Sequence, residues 1–173
     1  PFLFAIKGLE REIGEENVLY MLVSYLPVPG HITEMKTKPT QHAIKLLSEH
    51  GMVPDFIMCR AIRALDDVRK HKIEVSANIA ADRIISAPDV DVVYQVPLNL
   101  EDEQVGMKVL EHLGLEPKEE PDWSQWSKLL NRIRHPSRTV KVAMDGKYVE
   151  IGDYELTDSY ISVNQSLEHA GAN

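Results

Sequence analysis

Val18-Leu19-Tyr20-Met21-Leu22-Val23-Ser24 is a short, nearly continuous apolar run. Its length and lack of alternation predict a strand buried on both faces, as in a parallel sheet covered by helices on either side. Pro54-Asp55 then leads into Phe56-Ile57-Met58-Cys59, a second run of the same kind, and Arg83-Ile84-Ile85-Ser86 is a third. Helical patterns separate the three. One spans 39–50, with Ala43, Ile44, Leu46 and Leu47 as its inward set and Gly51 as its stop. The next opens on Asp66 and Asp67, which suit a first turn, and continues to Ala77 with a thin apolar stripe of Val68, Ile73 and Ala77. This alternation predicts an α/β fold: a parallel sheet with flanking helices, joined by crossovers.

The loop after the first run ends in Lys36-Thr37-Lys38-Pro39-Thr40-Gln41. In an extended segment Lys36 and Lys38 leave the same face. Pro39 suits the first helical position, where its missing N–H is no loss. The first-turn N–H groups and the positive end of the helix dipole then lie beside the lysines, an arrangement that can hold a polyanion such as a triphosphate. The same pattern also fits a solvated basic loop before an ordinary helix. Arg60 ends the second strand, so in a parallel sheet it emerges on the same ligand-facing edge as the lysine loop. Lys72 lies on the following helix, where a lone lysine is most often solvated. Asp89 and Asp91 follow the third strand, again at that edge.

Composition sets bounds on these readings. The chain has 173 residues, 43% hydrophobic and 27% charged, enough for one domain with a core or for one domain and a piece of another. Its net charge of −8 and the absence of a long basic run argue against nucleic acid or an anionic membrane as partner. The single cysteine, Cys59, excludes an internal disulfide and fits a reducing cytoplasm. Placed in an apolar strand, Cys59 reads as a buried small hydrophobe and not a nucleophile. No apolar run reaches the length of a membrane span, and no signal-peptide pattern is visible. The seven histidines are scattered without the i, i+4 spacing of a helical zinc site, so no metal-ligating side chains are assigned. Neither G-x-x-x-x-G-K-[ST] nor G-x-G occurs in the 173 residues.

At the start, Phe2, Ile6, Leu9 and Ile13 fall at helical spacing, with Gly14 as a stop. The chain thus begins inside a helix, and 167–173 ends as a helix would end, a pattern expected of a piece of a longer polypeptide. Beyond Pro97, residues 104–113 are helical with Val105, Val109, Leu110 and Leu113 on one side. Glu116-Pro117-Lys118-Glu119-Glu120-Pro121 is a charged linker. Asp122 or Ser124 can cap a helix through Arg132 whose Trp123 and Trp126, three apart, suit core packing or an interdomain contact. Val140-Lys141-Val142-Ala143-Met144 reads as a strand opening a second domain, which ends in a helix over 157–169.

In order, these landmarks resemble the CTP synthase family. The resemblance is carried by Lys36-Thr37-Lys38-Pro39-Thr40-Gln41-His42, by Pro54-Asp55-Phe56-Ile57 with Cys59-Arg60, and by Lys72-Ile73. It continues through Ile85-Ser86 with Asp89-Val90-Asp91 and Tyr94, and through Gly146-Lys147-Tyr148-Val149-Glu150. It implies ATP-dependent amination of UTP to CTP with ammonia from glutamine. It further implies that Lys36, Thr37, Lys38, Pro39, Thr40, Gln41 and Lys72 contact UTP or the inhibitor CTP. On the same grounds Pro88, Asp89 and Val90 lie beside the adenine of ATP, and Arg60 and Lys7 support the nucleotide site. The implied fold is a dethiobiotin-synthetase-like P-loop ligase domain, here incomplete: residues 1–115 are its C-terminal part, 116–139 a helical interdomain linker, and 140–173 the first strand and helix of a class I glutaminase domain. Mg²⁺ accompanies the nucleotides with ligands outside this stretch, glutamine and GTP act through the rest of the glutaminase part, and the family assembles as homotetramers with nucleotide sites between subunits. No catalytic residue lies in the chain, which is expected to be inactive alone.

The chain departs from the family in places. Thr33 stands where a glycine usually precedes the glutamate, Phe4 where a glutamate is frequent, Lys7 where an arginine is, and Pro88 where a lysine is. The changes at Phe4 and Lys7 put CTP feedback in question. An alternative is a non-catalytic nucleotide-binding or assembly module of the same descent. Another ligase of the dethiobiotin-synthetase type is a third reading, opposed by the glutaminase-like sequence after Val140.

Overall fold

The structure, a computed structural model, describes residues 2–147, 150–151, 154–155 and 160–172. The chain divides into two compact units, Pro1–Glu120 and Pro121–Asn173. In the first, strand β1 (Met21–Tyr25) pairs in parallel with β2 (Phe56–Ala61), and β2 with β3 (Ile84–Pro88), in the order β1-β2-β3. Parallel neighbours cannot be joined by a tight hairpin, so helices cross between them. Helix α2 (Lys38–Glu49) joins β1 to β2, and α3 (Asp67–Ala77) joins β2 to β3. The expected α/β architecture is therefore present as a three-stranded parallel sheet with flanking helices. Helix α1 (Phe2–Ile13) precedes it and ends at Gly14, whose φ of 93° favours glycine.

The main core lies on one face of the sheet. Ile57, Cys59 and Ala61 of β2 and Ile84 of β3 meet Ile44 of α2 and Ile73 of α3, with Leu26 and Met35 from the loop after β1. On the other face Phe56, Ile85 and Val105 pack with Leu19, Met21, Leu100 and Val109. This second layer comes from α4 (Val96–Asp102) and α5 (Val105–His112).

Several expectations change at this level. Strand β1 is not buried on both faces: Val23 is 56% and Tyr25 54% exposed. Among the described residues it is an edge strand, and the second layer reaches only its first residue, Met21. Leu46 and Val68 are also exposed, although both helices form where periodicity places them. At about 100° per residue, Leu46 lies roughly 200° around α2 from Ile44, and Val68 roughly 140° around α3 from Ile73. The apolar stripe of α1 likewise leaves Phe2, Leu9 and Ile13 exposed, while Glu10 is buried. Helix α4 has no counterpart among the expected elements; Pro97 occupies its first turn, where no N–H is needed. Pro39 is the second, not the first, residue of α2.

In the second unit α6 (Ser124–Arg134) packs against α7 (Ile161–Ala172). The Asp122 carboxylate accepts the Ser124 N–H at 2.9 Å, and this donor holds its carboxyl below the usual carboxylate range. The Trp123 and Trp126 rings meet edge to face, centroids 6.4 Å apart. The expected strand over 140–144 does not form. Its alternation is real, but no strand among the described residues pairs with it, and Val140, Val142 and Met144 stay exposed. A short antiparallel pair, β4 (Glu150–Ile151) with β5 (Tyr154–Glu155), follows instead. The expected helix start at Thr157 lies outside the described residues, as do Tyr148 and Val149 of the Gly146-Lys147-Tyr148-Val149-Glu150 motif. The Tyr160 hydroxyl donates to the Lys147 carbonyl at 2.7 Å, and a Cβ on Gly146 would come within 2.7 Å of the Tyr160 ring.

Ile73 is fully buried and Val68 exposed on one helix, so α3 separates core from surface cleanly. Ile73→Ala is expected to lower stability by about 2–5 kcal/mol in urea unfolding. Val68→Ala should fall within about 0.5 kcal/mol of the parent protein.

Candidate functional site

Because the three strands are parallel, everything that follows them emerges at one edge of the sheet. The loop after β1 is pinned there by backbone bonds. Leu26 N–H donates to Arg60 C=O at 2.8 Å, and Lys36 N–H to Pro27 C=O at 2.9 Å. The segment from Met35 to Lys38 alternates: Met35 and Thr37 are buried, Lys36 is half-buried and Lys38 exposed. Within α2 the fully buried Thr40 accepts the Ser24 hydroxyl proton at 2.9 Å, tying the helix start to β1. The Gln41 side-chain amide donates to the Thr37 hydroxyl at 3.2 Å. Of the six residues 36–41, Thr37, Thr40 and Gln41 thus hold the loop and helix start together, while Lys36 and Lys38 present charge outward.

The charges gather around one carboxylate. Glu34 accepts from Lys36 Nζ at 2.8 Å and Arg69 Nη2 at 2.9 Å, with Lys72 Nζ at 3.9 Å. The hydrogen bond from Lys36, then its charge, hold the Glu34 carboxyl below the usual range. Asp66 caps α3 by accepting the Arg69 N–H at 2.9 Å and also pairs with the Arg69 guanidinium at 3.2 Å. The Arg63 guanidinium donates to the Thr33 carbonyl. Lys36 and Lys72 therefore converge from the loop and from α3, as a polyanion site requires. Lys38 lies at the helix start with no ion pair among the described residues. Arg69 was not singled out from sequence. Its spacing of three from Lys72 puts both on one face of α3, and that was the available signal.

Arg60 and the Pro88-Asp89-Val90 segment also meet at this edge. Arg60 Nη2 lies 3.0 Å from Asp89 Oδ1, and Asp89 N–H donates to Ala61 C=O at 2.8 Å. Pro88 is the last residue of β3, and Val90 is half-buried. Lys7 is elsewhere. It pairs with Glu10, whose hydrogen bond raises its pKa, and its Nζ sits 5.9 Å from the Tyr20 ring centroid, just before β1. A five-residue strand of about 16 Å separates that end from the lysine loop, so one chain does not bring Lys7 to the site.

A cavity of about 300 Å³, lined by Phe56, Asp82, Arg83, Lys108, Glu111 and His112, lies at the start of β2, away from the lysine loop. Among the described residues no group of three or more His, Cys, Asp or Glu side chains is placed to hold a metal ion. Glu34 and Asp89 at this edge are each engaged by cations. Burial pushes the Cys59 thiol up to about 12, so it remains a neutral core group. Among the described residues no helix is long and apolar enough to cross a membrane.

Residues 1–115 match the family model described as CTP synthase N-terminus. The chain belongs to the CTP synthase family. It is 44% identical over 172 residues to CTP synthase of Methanopyrus kandleri, covering 99% of this chain and 31% of that protein. It is 42% identical over 170 residues to the CTP synthase of Gloeothece citriformis, covering 98% and 29%. With CTP synthase of Chloroflexus aurantiacus the identity is 44% over 173 residues, covering 99% and 30%. The chain thus spans about 30% of the length of these curated relatives.

Two outcomes follow from the geometry of the CTP synthase segment around β1 and β2. Thr40→Val keeps the shape but leaves the Ser24 hydroxyl without its acceptor, and a loss of about 1 kcal/mol is expected in urea unfolding. The Cys59 thiol should resist a thiol-specific reagent at pH 8 in the folded protein and react at the normal rate once unfolded. Its contribution to stability is complete below the ordinary thiol value of 9.0 and is lost as pH rises from there towards 12.

Proposed function

We propose that this chain supplies the pyrimidine-nucleotide half of a site that aminates UTP to CTP, using ATP and glutamine-derived ammonia in the cytoplasm. The observation that carries the reading is the convergence of Lys36 and Lys72 at the edge where 36–41 opens α2. Lys36, Lys38 and Lys72 bind and orient the triphosphate of UTP, and their ammonium groups stay charged throughout. Thr37, Thr40 and Gln41 fix the loop that carries them. Arg60 and Pro88-Asp89-Val90 border the same edge and line the approach for ATP. Phosphorylation of the uracil O4 by ATP makes that oxygen a leaving group, and ammonia displaces phosphate at C4. Magnesium enters with the nucleotides.

On this reading residues 1–115 are the later part of a dethiobiotin-synthetase-like ligase domain, 116–139 are an interdomain linker, and 140–173 begin a glutaminase domain served by glutamine and GTP. The Gly146-Lys147-Tyr148 sequence motif supports the last assignment. The P-loop and the glutaminase cysteine that the resemblance implies are not among these 173 residues, so the chain alone does not turn over UTP. Assembly as a homotetramer with sites between subunits would also give Lys7 a route to a neighbour's lysine loop.

Lys38→Ala in the enzyme should lower kcat/KM for UTP by roughly 10- to 100-fold, the range of a charge-assisted bond to phosphate, with the unfolding midpoint unchanged. Near-normal CTP formation at ordinary UTP concentrations would overturn the assignment.

A further inference from the structure

Glu34 stands among the cations of the site, and Asp66 at the start of α3 shares one of them, Arg69. Both oxygens of Glu34 are engaged, Oε2 by Lys36 and Oε1 by Arg69 and Lys72. The cations come from two different elements, the loop after β1 and α3, so the carboxylate bridges them. The donation from Arg63 to the Thr33 carbonyl pins the residue before it. Arg69 is only partly satisfied: its Nε is buried without a hydrogen-bond partner among the described residues. Glu34 itself is 39% exposed, and ion pairs that solvent reaches are weak and exchange readily. An incoming anion with several charges can take over these partners together. One with a single phosphate gains too little to displace the carboxylate.

Resting on the triphosphate-site reading above, we propose that Glu34 is a built-in competing anion. It occupies Lys36, Arg69 and Lys72 in the empty site and gives them up to a polyphosphate, so that the site favours a triphosphate over a monophosphate. Arg69 thereby joins Lys36 and Lys72 as a phosphate-binding residue. The group holds three cations against the carboxylates of Glu34 and Asp66, and withdrawal of Glu34 raises the positive charge facing the ligand by one.

The test is calorimetric titration of the protein and its Glu34→Gln and Glu34→Asp variants with inorganic tripolyphosphate and with orthophosphate. Glu34→Gln should bind orthophosphate about tenfold tighter, the sum of a few weak pairs released, and tripolyphosphate tighter by less. The preference for the longer anion therefore narrows. Glu34→Asp keeps the charge and should keep the parent preference. Weaker binding of both anions by Glu34→Gln would make Glu34 a support for the lysines and overturn the proposal, with the site itself intact. Binding of neither anion by any of the three proteins would remove the triphosphate-site reading and this proposal together. Arg69→Gln should weaken tripolyphosphate binding in the parent and in the Glu34→Gln background. An unchanged affinity in the second background would exclude Arg69 as a ligand.

Discussion

The parallel pairing of β2 with both its neighbours is the constraint from which the rest of unit 1 follows. Parallel strands need crossovers, and the crossovers are α2 and α3, which cover one face. Parallel strands also end together, so the three segments leaving β1, β2 and β3 share an edge. Two backbone bonds extend the pairing past the strand ends, Leu26 N–H to Arg60 C=O and Asp89 N–H to Ala61 C=O. The Ser86 hydroxyl then accepts the Leu65 N–H at 2.9 Å, and this fixes where α3 begins. The position of Lys72 relative to Lys36 is therefore a consequence of sheet geometry transmitted through Ser86 and the Asp66 cap.

A charged site needs a base that does not move when charge arrives. Here the base is apolar and hydroxyl-bearing: Met35, Thr37 and Thr40 point inward, and the Ser24–Thr40 bond locks the helix to the strand. The lysines stand on that base at the surface, where water still hydrates them and burial costs little. Glu34 keeps the empty cluster from being a bare concentration of positive charge.

Much of this was legible in the chain. All three strands lie where apolar runs placed them, but only β2, paired on both edges, has the fully covered setting that a continuous apolar run implies. The stops at Gly14 and Gly51 follow local rules that tertiary contacts did not override, and Asp66, placed by sequence in the first turn of α3, is its N-cap, with Asp67 the first helical residue. The misses share a cause. Val23, Tyr25, Leu46, Val68 and the stripe of α1 are apolar and exposed, since apolar character marks a residue that can be buried, not the layer that arrives to bury it. Residues 140–144 alternate as a strand does, but a ladder needs a partner. Pro97 sits in the first turn of α4, where a missing N–H costs nothing, and sequence alone does not say which turn a proline occupies.

The sequence by itself determined the element types, their order, the parallel sheet and the family, because these rest on periodicity, capping and an ordered set of motifs. Only the tertiary structure decided which motif residues are buried supports and which carry charge, that Arg69 and Glu34 belong with Lys36 and Lys72, and that Lys7 does not join them within one chain. The physical reason is distance along the chain. Local rules act over a few residues, whereas Glu34 and Lys72 are brought within 3.9 Å across a strand, two loops and a helix by the pairing of β1, β2 and β3.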